Sequence, residues 1–221
     1  FARSFTPLFE RLSDHYLVET FGHGRVADRV ALRLAVAPKD THRYGYRLWV
    51  DEETSLLLRS ELVDHDGRRL EIFQFASLRI GPGVDAVSLE PGNVEESMVS
   101  HLQLAQQNKL IMPMPTDDMM RWEAHWVPAG FSMSGEATGQ AKQAARPMNT
   151  LMYSDGLANF SIFIEPMPSE GAADMTSQNG ATLALTHALA HGENRYLVTL
   201  VGEIPLATAR KIVRSLQPRP A

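Results

Sequence analysis

The chain has 221 residues, 44% of them hydrophobic and 21% charged, a composition of folded rather than disordered protein and a length for one large domain or two small ones. Lys and Arg number 21 against 26 Asp and Glu, a formal net charge of −5, which argues against a nucleic-acid binder because phosphate neutralisation needs clustered cations. Cysteine is absent, so disulfides, thiolate nucleophiles, Cys-ligated zinc and iron–sulfur clusters are excluded, and no apolar run approaches the ~18 residues of a membrane-spanning helix.

Residues 15–21 read as a strand closed by Gly22-His23-Gly24. In 28–37, Val30, Leu32, Leu34 and Val36 alternate with Ala31, Arg33 and Ala35, the period-2 pattern of a half-buried strand. Residues 43–51 repeat it, with Tyr44, Tyr46, Leu48 and Val50 on one face and Arg47, Trp49 and Asp51 on the other. The acidic turn Asp51-Glu52-Glu53-Thr54-Ser55 is expected to be a solvated, inert tip, so that Asp51→Asn leaves folding almost unchanged. Residues 56–63 form a fourth strand. Asp64-His65-Asp66-Gly67 is a hairpin turn, and 68–80 reads as a long fifth strand. Successive strands on short turns make an antiparallel meander.

The pattern fails from Gly81 to Glu96. Residues 97–108 fit strand or helix equally, and 111–120, with Pro113 and Pro115 near Asp117 and Asp118, is the candidate linker. Beyond it, 121–127 is a short Trp-rich stretch, 131–134 begins a strand, and 135–147 reads as a loop of small polar residues. Residues 148–154 and 157–164 flank a second Asp-Gly turn, Asp155-Gly156. Residues 168–180 are again small and polar, and 181–189 pairs with 195–201 around His191-Gly192-Glu193-Asn194. A terminal helix starts at Pro205, with Leu206, Ala209, Ile212, Val213 and Leu216 at helical spacing, Arg210, Lys211 and Arg214 facing out, and Pro218 stopping it.

No G-x-S-x-G, H-E-x-x-H or P-loop is present. His187 and His191 have a spacing that suits a metal on a helix; placed on a strand end and turn they are structural or solvated. His125 between Trp122 and Trp126 admits two readings, an aromatic ligand platform or a partly buried sheet. Arg210, Lys211 and Arg214 likewise form either a solvated face or a basic row for an acidic partner. Catalytic, cofactor and metal sites are read as none, and the chain as a non-enzyme.

The stretch His42-Arg43-Tyr44-Gly45-Tyr46-Arg47-Leu48-Trp49-Val50-Asp51, with Thr54 and Leu58-Arg59-Ser60, resembles the MucB/RseB family. The likeness continues through Gly67, Leu70, Glu71, Phe73, Gln74 and Phe75, then Trp126-Val127-Pro128-Ala129-Gly130-Phe131, Tyr153-Ser154-Asp155-Gly156-Leu157-Ala158, Phe160-Ser161-Ile162-Phe163-Ile164-Glu165 and Val201-Gly202-Glu203-Ile204-Pro205. It implies a mainly β, α+β protein: an incomplete lipoprotein-carrier-like half-barrel over 1–110, a linker at 111–120, and a smaller α+β partner-binding domain over 121–221 with a C-terminal helix. The chain starts at Phe1 rather than Met, and the resemblance starts inside the family's first domain. That domain is therefore expected to lack its beginning, with the export signal removed.

The family implies a periplasmic negative regulator of an envelope-stress sigma factor of the sigma-E or AlgU kind, which also governs alginate regulation. Such a regulator binds the periplasmic segment of a membrane anti-sigma factor and shields it from regulated proteolysis. Lipopolysaccharide or another lipid-like signal relieves the shielding. No cofactor and no nucleic acid are expected; a homo-oligomer stays open. The candidate partner-binding residues are Arg210, Lys211, Arg214, Trp122 and Trp126, and the candidate lipid-facing residues are Trp49, Phe73 and Phe75. The alternative function is a periplasmic carrier of lipid or lipoprotein acyl chains.

Overall fold

The structure, a computed structural model, describes residues 12–81, 120–140, 147–167 and 174–219. The irregular stretch after Gly81, the ambiguous 97–108 and almost all of the candidate linker lie outside the described residues.

The first sheet is an antiparallel meander of five strands: β1 (Tyr16–Val26), β2 (Arg29–Pro38), β3 (Gly45–Asp51), β4 (Leu57–Val63) and β5 (Arg69–Gln74). Register sets Leu34, Leu48, Ser60 and Phe73 in one row and Arg33, Trp49, Arg59 and Gln74 in the next, so the two rows point to opposite faces. The Asp64–Gly67 turn forms as expected, Gly67 taking φ 75° and donating its N–H to Asp64 O at 3.0 Å. Gly22-His23-Gly24, in contrast, does not end β1. It is absorbed as a register shift between Thr20 and His23, a bulge that glycine permits. The true turn is Ala27-Asp28, both residues at positive φ, a conformation that Ala signals poorly in sequence. Strand β5 also stops six residues short of the predicted end. Its last pair is Arg59↔Gln74; one further bond, from the Phe75 N–H to Leu58 O at 3.0 Å, follows before pairing stops near the start of β4.

Asp51 overturns the expectation of a solvated tip. It is 2% exposed, covered by the side chains that bind it. Its carboxylate accepts Arg29 Nε at 2.7 Å and Nη2 at 2.9 Å, the Thr54 N–H at 3.0 Å and the Thr54 hydroxyl at 2.5 Å. Glu52, Glu53, Thr54 and Ser55 are the exposed members of the turn. The Arg29 bonds, and then the Thr54 hydroxyl, hold the Asp51 carboxyl down from 3.8 to about 2. A depressed folded-state value means stability that is complete above the unfolded value and is lost as pH falls through the folded one. Acid titration followed by circular dichroism should therefore show Asp51→Asn flattening the loss of stability between about pH 4 and about pH 2. An unchanged acid limb would mean that the carboxylate holds no part of the turn.

The second sheet has six strands in the order β10-β11-β12-β9-β8-β7: β7 (Ser132–Gln140), β8 (Pro147–Ser154), β9 (Asn159–Pro166), β10 (Met175–Asn179), β11 (Thr182–His191) and β12 (Asn194–Gly202). Residues 135–140 of the predicted loop 135–147 belong instead to β7, whose small polar residues are tolerated because it is an edge paired on one side only; 141–146 lie outside the described residues. The predicted polar stretch 168–180 likewise contains the edge strand β10. Leu151, Ile162, Leu200 and Leu185 form one cross-strand row, all buried. Helix α1 (Leu206–Arg214) covers that face, lying on β11 and β12. It ends earlier than its apolar spacing suggests. Leu216 stays buried but belongs to β13 (Leu216–Pro218), which pairs with β6 (Trp122–Ala124). The C-terminal core contains Trp122, Phe131, Phe160, Ile162, Val198, Leu200, Ile212 and Leu216.

Candidate functional site

The two large sheets meet through a buried charge cluster. Arg43, at the entry to β3, is 0% exposed, and Asp155, in the β8–β9 turn, is also buried. Arg43 Nη1 donates to Asp155 Oδ2 at 2.6 Å. The Tyr16 hydroxyl donates to the same oxygen at 2.9 Å, and the N–H groups of Leu157 and Ala158 donate to Oδ1. Arg43 Nη2 also reaches Asp40 Oδ2 at 3.0 Å and Ala129 O at 2.5 Å. The guanidinium lies 5.4 Å from the Tyr16 ring centroid and 5.1 Å from that of Phe131. A buried charge is tolerated only when paired and hydrogen-bonded in this way. Burial, and then the Asp155 carboxylate, push the Tyr16 hydroxyl far above its ordinary pKa. Three of the segments carrying the family likeness, around Arg43, Ala129 and Asp155, thus converge at one junction.

Beside this junction, Tyr46, Ser60, Leu62, Glu71 and Phe73 of the first sheet face Glu203, which follows β12, across a cavity of about 220 Å³. Burial, and secondarily the Glu71 carboxylate, raise the Glu203 carboxyl above its usual range. Ala181, at the β10–β11 turn, packs on Tyr44 and Leu62, a second apolar seam between the sheets.

The basic residues of α1 are all exposed, yet they do not form one row. The Lys211 ammonium sits 3.8 Å from the Trp126 ring centroid, a cation–π contact. The His42 ring meets the same indole edge-on at 5.1 Å and its Nδ1 lies 3.2 Å from Thr208 Oγ1. Arg210 and Arg214, one helical turn apart, instead line a hollow with Asp174, Thr176, Leu185, His187 and Val213. The Ser215 hydroxyl accepts the Trp126 N–H at 3.1 Å and lies 2.7 Å from Ile212 O, tying the helix end to the Trp126 segment.

Trp122 is 1% exposed and packs edge-on to Tyr196 at 4.8 Å. Its ring supports the core and is inaccessible to a partner; the apolar neighbours that bury it come from distant strands. Trp126 is half-buried and keeps a surface. The three candidate lipid-facing rings do not share a face. Trp49 lies in the row of Arg59, whose guanidinium stacks 4.4 Å from the indole centroid, whereas Phe73, 54% exposed, lies in the opposite row. Phe75 touches Phe73 edge-on. His187 bonds Asp174 at 2.8 Å and His191 meets Trp122. Among the described residues no cluster of His, Asp and Glu is arranged to hold a metal, and no helix is long and apolar enough to cross a membrane.

The family model of the MucB/RseB N-terminal domain matches residues 1–98, and that of the MucB/RseB C-terminal domain matches residues 116–217. The sigma factor AlgU regulatory protein MucB of Pseudomonas aeruginosa is 34% identical over 99% of this chain, and the sigma-E factor regulatory protein RseB of Escherichia coli K12 is 29% identical over 95%. The chain spans 65% and 61% of those two relatives' lengths. The crystal structure of MucB in complex with MucA(peri) superposes with a TM-score of 0.79 at 33% identity, covering 96% of this chain and 70% of that one. Matched in order through both halves, and alike in fold to a solved relative, the chain belongs to the MucB/RseB family.

Proposed function

We propose that the chain is a periplasmic regulator of an envelope-stress sigma factor, a non-enzyme that binds the periplasmic segment of a membrane anti-sigma factor and shields it from proteolysis. The observation that carries this reading is the agreement, over 96% of the chain, with MucB as it stands in complex with MucA(peri). Shielding of this kind needs no reactive residue, because a segment ordered on a partner loses the accessible backbone that a protease requires. Its units are an N-terminal domain over 1–110, a linker at 111–120 and a C-terminal domain over 121–221. Arg210, Lys211, Arg214 and Trp126 form the partner-facing surface. A lipid-like molecule acting through the exposed Phe73 side of the first sheet relieves binding.

Among the described residues the carrier alternative is weaker on volume. The cavity beside Phe73, about 220 Å³, is below the roughly 300–1,000 Å³ usual for ligand pockets. Titration calorimetry of the chain with MucA(peri) should give saturable binding, and limited proteolysis should show MucA(peri) cut more slowly in the complex. Absence of binding, together with stoichiometric lipid recovered by organic extraction, would favour the carrier.

A further inference from the structure

Among the described residues the two large sheets have four edge strands, β1, β5, β7 and β10. Edges are normally protected by charge, proline or a bulge, because their unpaired N–H and C=O groups template further pairing. Strand β1 carries Glu19 and Arg25 and shifts register at Thr20/His23; β5 carries Arg69 and Glu71; β7 carries Glu136 and shifts register at Met133/Gly135. Strand β10 reads Met175-Thr176-Ser177-Gln178-Asn179. It has no charge, no proline and an unbroken register with β11, and all five residues are exposed, Met175 at 68%.

This unguarded edge lies beside the arginine pair. Thr176 is paired with Leu185 and Gln178 with Leu183, so both point to the buried side of the sheet, where α1 packs. Arg210 and Arg214 line a hollow of about 120 Å³ there with Thr176. The hollow sets two arginines against the single carboxylate Asp174, which also bonds His187 Nδ1 at 2.8 Å, so positive charge is in excess by one.

We infer that β10 receives an extended acidic segment of the partner as a seventh strand, with carboxylates on its helix-facing side meeting Arg210 and Arg214. This rests on the partner-binding reading above and specifies its mode. An added strand lies ~4.8 Å outside β10 and turns every second side chain toward the helix. Main-chain bonds then supply affinity, and the arginines select carboxylates at alternate positions. A second copy is the poorer occupant. Antiparallel pairing of β10 with itself about a two-fold axis puts both helices on one side, so four arginines converge.

Amide hydrogen exchange of the full chain, free and saturated with MucA(peri), tests this. Residues 174–180 should exchange at least about ten-fold more slowly in the complex. Arg210→Glu/Arg214→Glu should weaken binding at least about ten-fold and reduce its salt dependence, with an unchanged unfolding midpoint. Binding by the wild-type chain without protection of 174–180, or undiminished binding by the double variant, overturns the strand-addition mode and leaves the regulatory reading standing. Concentration-dependent protection of 174–180 without partner assigns the edge to self-pairing and overturns it also. No binding by the wild-type chain removes both.

Discussion

Asp155→Ala is expected to destabilise the protein by about 3–5 kcal/mol, the usual consequence of removing one partner of a buried ion pair. Three losses coincide. Arg43, which is fully buried, keeps only Asp40 as a charged partner. The Tyr16 hydroxyl loses its acceptor, and the N–H groups of Leu157 and Ala158 lose the oxygen that closes the β8–β9 turn. Arg43→Met should also destabilise, because it leaves the buried Asp155 carboxylate without its cation, and should be the milder change only because Asp155 retains three hydrogen-bond donors. For a chain of this size the Asp155→Ala loss corresponds to a fall in Tm of roughly 6–20 °C. Arg43→Met/Asp155→Asn should lose less than the sum of its two single changes. Strict additivity, or an Asp155→Ala loss under about 1 kcal/mol in urea unfolding, would show the pair to be dispensable.

Ile212→Ala should cost about 2–5 kcal/mol through lost burial and the cavity left behind. Ile212 is fully buried with Ala209, Val213 and Leu216 in the C-terminal core, and α1 is the layer that covers one face of the six-stranded sheet. Arg210→Ala, two residues away on the exposed side, should stay within about 0.5 kcal/mol and serves as the control. Equal effects of the two changes in denaturant unfolding would show that the helix does not anchor through its apolar stripe.

Where local chemistry dictates backbone shape, the fold is legible. Gly67 and Gly156 sit at positive φ in the two Asp-Gly turns, and period-2 alternation locates β2 and β3. The misread places obey non-local rules. Strand β5 stops at Gln74 although its apolar residues run on to Ile80; β7 and β10 are small and polar because each is an edge; Leu216 changes element without leaving the core. The candidate site divides in the same way. Helical spacing exposes Arg210, Lys211 and Arg214, but only the arrival of Trp126, 85 positions earlier than Lys211, separates Lys211 from the arginines. Nothing local links Arg43 to Asp155. Each reads as an ordinary strand or turn residue, and the Asp51–Arg29 bond hides for the same reason.

The span of the Arg43–Asp155 bond has a kinetic consequence. It joins residues 112 positions apart, and closing so long a loop is entropically unfavourable until both sheets exist to hold its ends. The bond is therefore expected to form after the folding barrier, so that Asp155→Ala should speed unfolding and leave the folding rate almost unchanged in stopped-flow measurements. Its effect falls on the way out: an interaction absent from the transition state slows escape from the native state almost by its full value. The junction thus sets how long the two sheets stay together once joined, the lifetime of a folded molecule rather than the ease with which it folds.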